Sequence, residues 1–290
     1  MSCDLFLPQL TADNSYTFYC QEFAETFHSQ QGAKTEAEHK FVVPTKLAIK
    51  AQQPAIKLLD VCYGLGYNTA AALAQIWAVN PDCVVEVIAL ESNANVPNSA
   101  IAHDLLNSWP LPIRQILTTL ANNHQVESAR CQATLILGDA RQTIKLISSD
   151  FTADAIFLDP FSPPKCPQLW TVEFISLVAS FLHEEGILAT YSAAAAVRTA
   201  LKAAGLYLGN ASSTGRRSPS TIATKYELPP LSNIGQEHLL TRAAVPYRDP
   251  NLQDLAEVIL HRRLQEQQTS LLEPTARWHR RTRKKFKKDP

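Results

Sequence analysis

Three acids and two closely spaced glycines carry the chemistry visible in this chain. Residues 58–68 read Leu58-Leu59-Asp60-Val61-Cys62-Tyr63-Gly64-Leu65-Gly66-Tyr67-Asn68, an apolar run that ends in an acid and a glycine pair. Glycine lets a backbone turn sharply and lie against a ligand with no Cβ in the way. A helix that starts directly after such a turn aims its first N–H groups at that ligand. Glu91, Asp139 and Asp159 close three further apolar runs, at 84–90, 134–137 and 153–158. In a parallel α/β sheet the carboxyl ends of the strands share one edge, so the acids gather beside the glycine turn. Glu91 there can accept from two adjacent ribose hydroxyls, and Asp139 from an adenine amino group. A plain turn and helix-capping acids are the competing readings of the same residues.

Asp159 also opens the least ordinary stretch of the chain, Asp159-Pro160-Phe161-Ser162-Pro163-Pro164-Lys165-Cys166-Pro167-Gln168-Leu169-Trp170. Its prolines forbid regular structure and fix an extended loop at small entropic cost. A stiff loop at the end of a central strand is where such folds place substrate contacts.

The elements that position these residues alternate strand and helix from residue 57 onward. A helix over 69–79 places Ala70, Leu73, Ala74 and Trp77 on one face. Residues 95–130 read as less regular, with 109–112 (Trp-Pro-Leu-Pro) a rigid turn. A helix over 172–183 buries Phe174, Ile175, Val178, Phe181 and Leu182, and Gly186 turns into a strand at 187–191. After a helix at 194–203, strands at 207–209 and 221–226 form a terminal hairpin that leaves Arg216 and Arg217 on its loop. The expected fold class is α/β and Rossmann-like, a central, mostly parallel sheet with an antiparallel terminal hairpin. Residues 1–50 form an aromatic-rich N-terminal cap in which His28 reads as a loop residue, and 51–228 form the core. Residues 229–290 form a C-terminal extension, with an amphipathic helix through Leu252, Leu255, Ile259, Leu260 and Leu264 before a basic tail that is disordered on its own.

Composition narrows the function classes. Hydrophobic residues make up 46% of 290, enough for a sizeable core, yet no run reaches the roughly 18 apolar residues of a membrane span. The first ten residues lack the basic leader and apolar core of a signal peptide, which points to the cytoplasm. Six cysteines form no CxxC pair and eight histidines form no HExxH, so neither a metal site nor a disulfide framework is expected. The formal charge of zero hides an asymmetry. Eight Lys or Arg lie within 277–288, and without them 1–276 carries 19 basic against 26 acidic residues, a net of −7. Such a tail suits a polyphosphate backbone.

Position 69 is Thr, so the turn lacks the third glycine of a dinucleotide fingerprint. An adenosine-bearing cofactor without a pyrophosphate, S-adenosyl-L-methionine, fits better. A nicotinamide-linked oxidoreductase is the first alternative, a methyltransferase for a small-molecule or protein amine the second, and a catalytically inactive tRNA-binding protein the third.

Several motifs in order, from about Ser15 to Tyr226, resemble one family. They are Phe27-His28-Ser29-x-x-Gly32 with Glu36 and Phe41, Tyr63-Gly64-Leu65-Gly66-Tyr67-Asn68, Glu91, Gly138-Asp139, the loop from Leu158 to Trp170, Gly186-x-Leu188-Ala189-Thr190-Tyr191-Ser192, and Gly215-Arg216-Arg217. The chain resembles the methyltransferase domain of the bacterial enzymes that finish 5-methylaminomethyl-2-thiouridine at the tRNA wobble position, in its stand-alone form without the flavin oxidase domain. Cys62, Pro160 and Cys166 depart from the family pattern. The resemblance implies a cofactor site at Tyr63, Gly64, Gly66, Asn68, Glu91 and Asp139. It implies that Asp159 accepts a hydrogen bond from the aminomethyl nitrogen and steers its lone pair, since an ordinary carboxylate near pKa 4 is a poor base. Phe161 and Trp170 would flank the uracil, and Lys165, Arg216 and Arg217 would contact the anticodon region of tRNA. No FAD, metal or membrane is implied; a separate enzyme must supply the aminomethyl intermediate.

Overall fold

Aliphatic residues repeating every second position build the centre of the protein. The computed structural model describes residues 6–211 and 220–286. Strands β1 (Pro8–Leu10), β2 (Tyr16–Cys20) and β3 (Glu25–Thr26) pair antiparallel in a small N-terminal sheet. The main sheet has eight strands: β4 (Ala55–Val61), β5 (Val84–Glu91), β6 (Gln125–Glu127), β7 (Cys131–Leu137), β8 (Ala153–Leu158), β9 (Leu182–Thr190), β10 (Tyr207–Asn210) and β11 (Thr221–Thr224). Their order is β10-β11-β9-β8-β4-β5-β7-β6. The inner strands β9, β8, β4, β5 and β7 run parallel, while β6 and the β10–β11 hairpin run antiparallel at the edges. Along β4, Ile56 and Leu58 enter the hydrophobic cluster on one face and Leu59 and Val61 the cluster on the other. A strand covered on both faces reads as a near-continuous apolar run, and β4 is apolar except at Lys57 and Asp60.

The N-terminal cap packs Phe18 and Phe41 into the first cluster with no exposed surface. Its helical part is split into Ala33–Ala37, a π turn over Glu38–Val42, and Leu47–Lys50. Tyr67, at the start of the helix Tyr67–Val79, ties cap to core: its hydroxyl donates to the Leu105 carbonyl at 2.9 Å and accepts the Tyr16 N–H at 3.3 Å.

Several elements differ from expectation, each for a local reason. The stretch 95–130 is regular, with helices Asn95–Ala102 and Leu111–Asn123. Pro110 is the N-cap of the second and Pro112 lies in its first turn, where a missing N–H costs nothing. The helix expected over 172–183 stops at Ser180, and β9 starts at Leu182. Gly186 therefore lies inside β9, where a Cβ would stand 2.7 Å from the Ala153 carbonyl oxygen.

The C-terminal helix runs over Ala256–Thr269 and buries Ile259, but Leu255 and Leu264 are exposed and Leu252 precedes it in a left-handed turn. The basic tail is helical over Thr275–Phe286 instead of disordered. Trp278 stacks on His238 at 4.6 Å, and Arg281 bonds Glu237 at 2.9 Å and Glu273 at 3.0 Å. Arg216 and Arg217 lie outside the described residues. Among the described residues no helix is long and apolar enough to cross a membrane, and no group of three His, Cys, Asp or Glu could hold a metal ion.

Candidate cofactor and active site

At the carboxyl edge of the parallel strands, β4 runs into a turn that begins at Cys62, a non-glycine residue with φ of 71°. The Cys62 and Tyr63 N–H groups both donate to the Leu90 carbonyl, at 3.0 and 2.9 Å, which clamps the turn to the end of β5. Gly64 (φ 57°) faces a cleft of about 900 Å³. Gly66 (φ 84°) is not among the residues lining that cleft. A Cβ on Gly66 would stand 2.5 Å from the Tyr63 hydroxyl oxygen, and Tyr63 itself is buried. Tyr63 and Gly66 thus build the turn.

Glu91 ends β5 buried at the wall of the cleft. One carboxylate oxygen accepts the Ser92 and Asn93 N–H groups at 2.8 and 2.9 Å, and the other accepts the Gly64 N–H at 2.8 Å. Burial raises its pKa against the pull of those backbone bonds. Asp139 caps the short helix Ala140–Thr143 by accepting the Arg141 N–H at 2.9 Å. Burial works to raise its pKa too, but the Arg141 guanidinium, 2.7 Å away at its closest, holds the carboxyl below its ordinary value. These groups fit an adenosine-bearing cofactor. Gly64 leaves room for close approach, both acids line the cleft, and so does Gln168, whose buried Oε1 has no protein partner.

Asp159 follows β8, and its N–H donates to the Val61 carbonyl at 3.1 Å, next to the glycine turn. The buried Asn68 amide donates to Asp159 Oδ2 at 2.9 Å. Asn68 is not among the residues lining the cleft, and through this bond it orients Asp159. Burial pushes the Asp159 carboxyl well above the ordinary range, the Glu36 charge pushes it further, and the Asn68 bond opposes both. It is not an ordinary carboxylate.

The proline loop is held from both sides. Trp170 has no exposed surface, and its indole N–H donates to the Phe161 carbonyl at 2.8 Å. Its ring meets Tyr191 edge-on at 6.0 Å, and the Tyr191 hydroxyl donates to the Pro160 carbonyl at 2.9 Å. A side chain so enclosed cannot flank a base, which corrects the expectation for Trp170; it anchors the loop. Lys165 is exposed and lies outside the lining of the cleft. Phe161 does face the cleft, stacked on Phe23 at 4.5 Å and edge-on to Phe27 at 5.0 Å.

The sequence reading missed what the cap contributes. Phe23, Glu25, His28 and Glu36 all line the cleft. Glu25 accepts the Ser162 N–H at 2.9 Å and also its hydroxyl. Glu36 forms an ion pair with Lys40 and accepts the Ser29 N–H at 2.6 Å. His28, expected as a loop residue, does lie in a bend, where its N–H donates to the Thr17 hydroxyl at 2.9 Å, but it is buried against Tyr67, its ring 5.2 Å away, and burial lowers its pKa to about 4. The ring is therefore neutral at ordinary pH. The aromatic density of 15–27 was the available signal, but nothing in it gave the direction of the rings.

Asp60 lies beneath the turn with no exposed surface and accepts the Thr69 hydroxyl at 2.7 Å. Burial pushes its pKa from 3.8 up to about 7, opposed by the Thr69 bond and reinforced by the Glu91 charge. The folded state thus holds a proton that the unfolded chain releases near pH 4. The stability tied to that proton is present below pH 4 and disappears as pH rises to about 7, a loss of about 4 kcal/mol. Asp60→Asn is expected to flatten the fall in Tm between pH 5 and 8; equal slopes in variant and parent would contradict a buried proton on Asp60.

Residues 98–226 match a family described as S-adenosyl-L-methionine-dependent methyltransferase. An uncharacterized protein of Methanocaldococcus jannaschii is 30% identical over 251 residues, 83% of this chain and 67% of that one. The tRNA 5-methylaminomethyl-2-thiouridine biosynthesis bifunctional protein MnmC of Ralstonia nicotianae is 30% identical over 236 residues, 76% of this chain. The match covers 34% of that bifunctional protein, so the present chain spans about a third of its length. The crystal structure of MNMC2 from Aquifex aeolicus is similar with a TM-score of 0.81 and 35% identity, over 91% of this chain and 86% of that one. The nicotinamide-linked alternative is thereby set aside. With a glycine turn, two strand-end acids and a buried third acid arranged around one cleft, the chain belongs to the MnmC-type family of S-adenosyl-L-methionine-dependent methyltransferases.

Proposed function

We propose that the protein N-methylates 5-aminomethyluridine, with or without the 2-thio group, at the wobble position of tRNA, giving the 5-methylaminomethyl nucleoside. The observation that carries this reading is Asp159, which lines one cleft together with Gly64 of the glycine turn and Phe161. The names of the MnmC relatives support it. S-adenosyl-L-methionine supplies a methyl group on a sulfonium leaving group. Gly64, Glu91 and Asp139 hold the nucleoside half of the cofactor. Phe161 packs against the extruded uracil, as aromatics do for unstacked bases. The amine must arrive neutral, with its lone pair in line with the C–S bond. As the N–C bond forms and the C–S bond breaks, an amine proton becomes acidic, and ionised Asp159 accepts it. Its raised pKa makes Asp159 a better base than the ordinary carboxylate assumed from sequence. The aminomethyl group must already be in place when this step occurs, and the setting is the cytoplasm.

Transfer of labelled methyl from the cofactor to tRNA carrying 5-aminomethyluridine tests this reading, with free amines as the comparison. Label on the amines alone would refute it. The basic helix makes a separate contribution. Arg277 and Arg280 are exposed on Thr275–Phe286, while Trp278 faces the body. Truncation after Ala276 is expected to weaken tRNA binding about tenfold or more at physiological salt and to flatten its salt dependence. Arg277→Gln with Arg280→Gln, which keeps Trp278 docked, moves the slope the same way by a smaller amount. An unaltered slope in both would show that the helix does not engage the phosphate backbone.

A further inference from the structure

We infer that Asp249, acting through Arg141, positions Asp139, so that the C-terminal extension completes the cofactor site. This rests on Asp139 as the acid that meets the adenosine. Asp139 is partly open to the cleft, with its side chain 44% exposed. A short acid so exposed would sample several rotamers. Glu91 is pinned by backbone N–H groups from two segments, but Asp139 is pinned by Arg141: its backbone N–H, its Nε at 3.1 Å and its Nη2 at 2.7 Å.

The fork of Arg141 is in turn fixed from the far side. Its Nη1 donates to Asp249 Oδ2 at 2.8 Å and to the Asp254 carbonyl at 2.9 Å, more than 100 residues away in the chain. Asp249 has no exposed surface. Its other oxygen accepts the Gln253 and Asp254 N–H groups at 3.1 and 3.2 Å, and its own N–H donates to Glu173 at 2.8 Å. The anchor is therefore rigid. Arg141 joins a fully enclosed carboxylate to a cleft-facing one, and a planar guanidinium transmits orientation where a lysine ammonium would not. A surface ion pair alone would do little; this one is closed on its Asp249 side.

Calorimetry of S-adenosyl-L-methionine binding to the full chain, without tRNA, tests the inference. Asp249→Asn keeps the shape but removes the charge, and its Kd is expected to rise about tenfold. In turnover the loss falls on the KM for the cofactor and not on kcat. Arg141→Lys moves the Kd in the same direction and serves where Asp249→Asn does not fold. In an Asp139→Asn background, Asp249→Asn is expected to add no further loss, because its effect runs through Asp139. Full additivity of the two substitutions would overturn the inference and leave a merely structural pair. An unchanged Kd in both Asp249→Asn and Arg141→Lys, beside a weakened Asp139→Asn, would overturn it while sparing the cofactor role of Asp139. An unchanged Kd in Asp139→Asn would overturn both.

Discussion

Asp159→Ala is expected to slow methyl transfer by about 10²- to 10⁴-fold, the range lost with a positioned proton acceptor, while cofactor affinity stays close to that of the parent. The separation follows from geometry. Asp159 meets Asn68 and the open cleft, whereas the turn is clamped to Leu90 and to Glu91. Removing the carboxylate leaves the Asn68 amide without its acceptor but also removes a buried acid that burial and Glu36 both disfavour when ionised. Folding stability above pH 7 is thus expected to hold. Asp159→Asn divides the role further, since an amide can orient an N–H but cannot take its proton. Single-turnover rates with labelled cofactor measure both variants, and a rate equal to that of the parent in Asp159→Ala would remove Asp159 from the reaction. The raised pKa also fixes the direction of the pH profile: single-turnover rate increases with pH until the Asp159 proton is lost.

Trp170→Ala is expected to cost about 3–5 kcal/mol of folding stability, the range for deleting a fully buried aromatic. The indole fills the second hydrophobic cluster and supplies the N–H that holds the Phe161 carbonyl. Trp170→Phe keeps most of the volume and loses the hydrogen bond, so about 1–2 kcal/mol is expected. Urea unfolding reads both. A residue that stacks on the tRNA base would behave differently: Trp170→Ala would then leave stability intact and raise only the KM for tRNA. That result would restore the role the sequence suggested.

The strand-end acids were legible because a parallel sheet forces its carboxyl ends onto one edge. Glu91, Asp139 and Asp159 all line the cleft for that reason. The glycine pair was legible as a turn, but not the division of labour within it. Gly64 meets the cleft, while Gly66 yields space to Tyr63, a contact across a few residues that spacing does not encode. Trp170 was misplaced for a related reason: motif membership locates a residue, but only tertiary packing decides which way its side chain points. Propensity also lost to context in the tail, where eight basic residues suggested disorder. What orders the helix there is the docking of Trp278 on His238 and Glu237, a contact between segments far apart in the chain that local composition does not reveal.

Nucleoside mass spectrometry tests the central claim most directly. Purified protein and methyl-labelled S-adenosyl-L-methionine are incubated with tRNA bearing 5-aminomethyluridine at the wobble position, beside tRNA bearing the carboxymethylaminomethyl form. One labelled methyl on the first tRNA and none on the second is the expected result. No label on either, with cofactor binding demonstrated in the same preparation, would contradict the assignment of the wobble aminomethyl group as the acceptor.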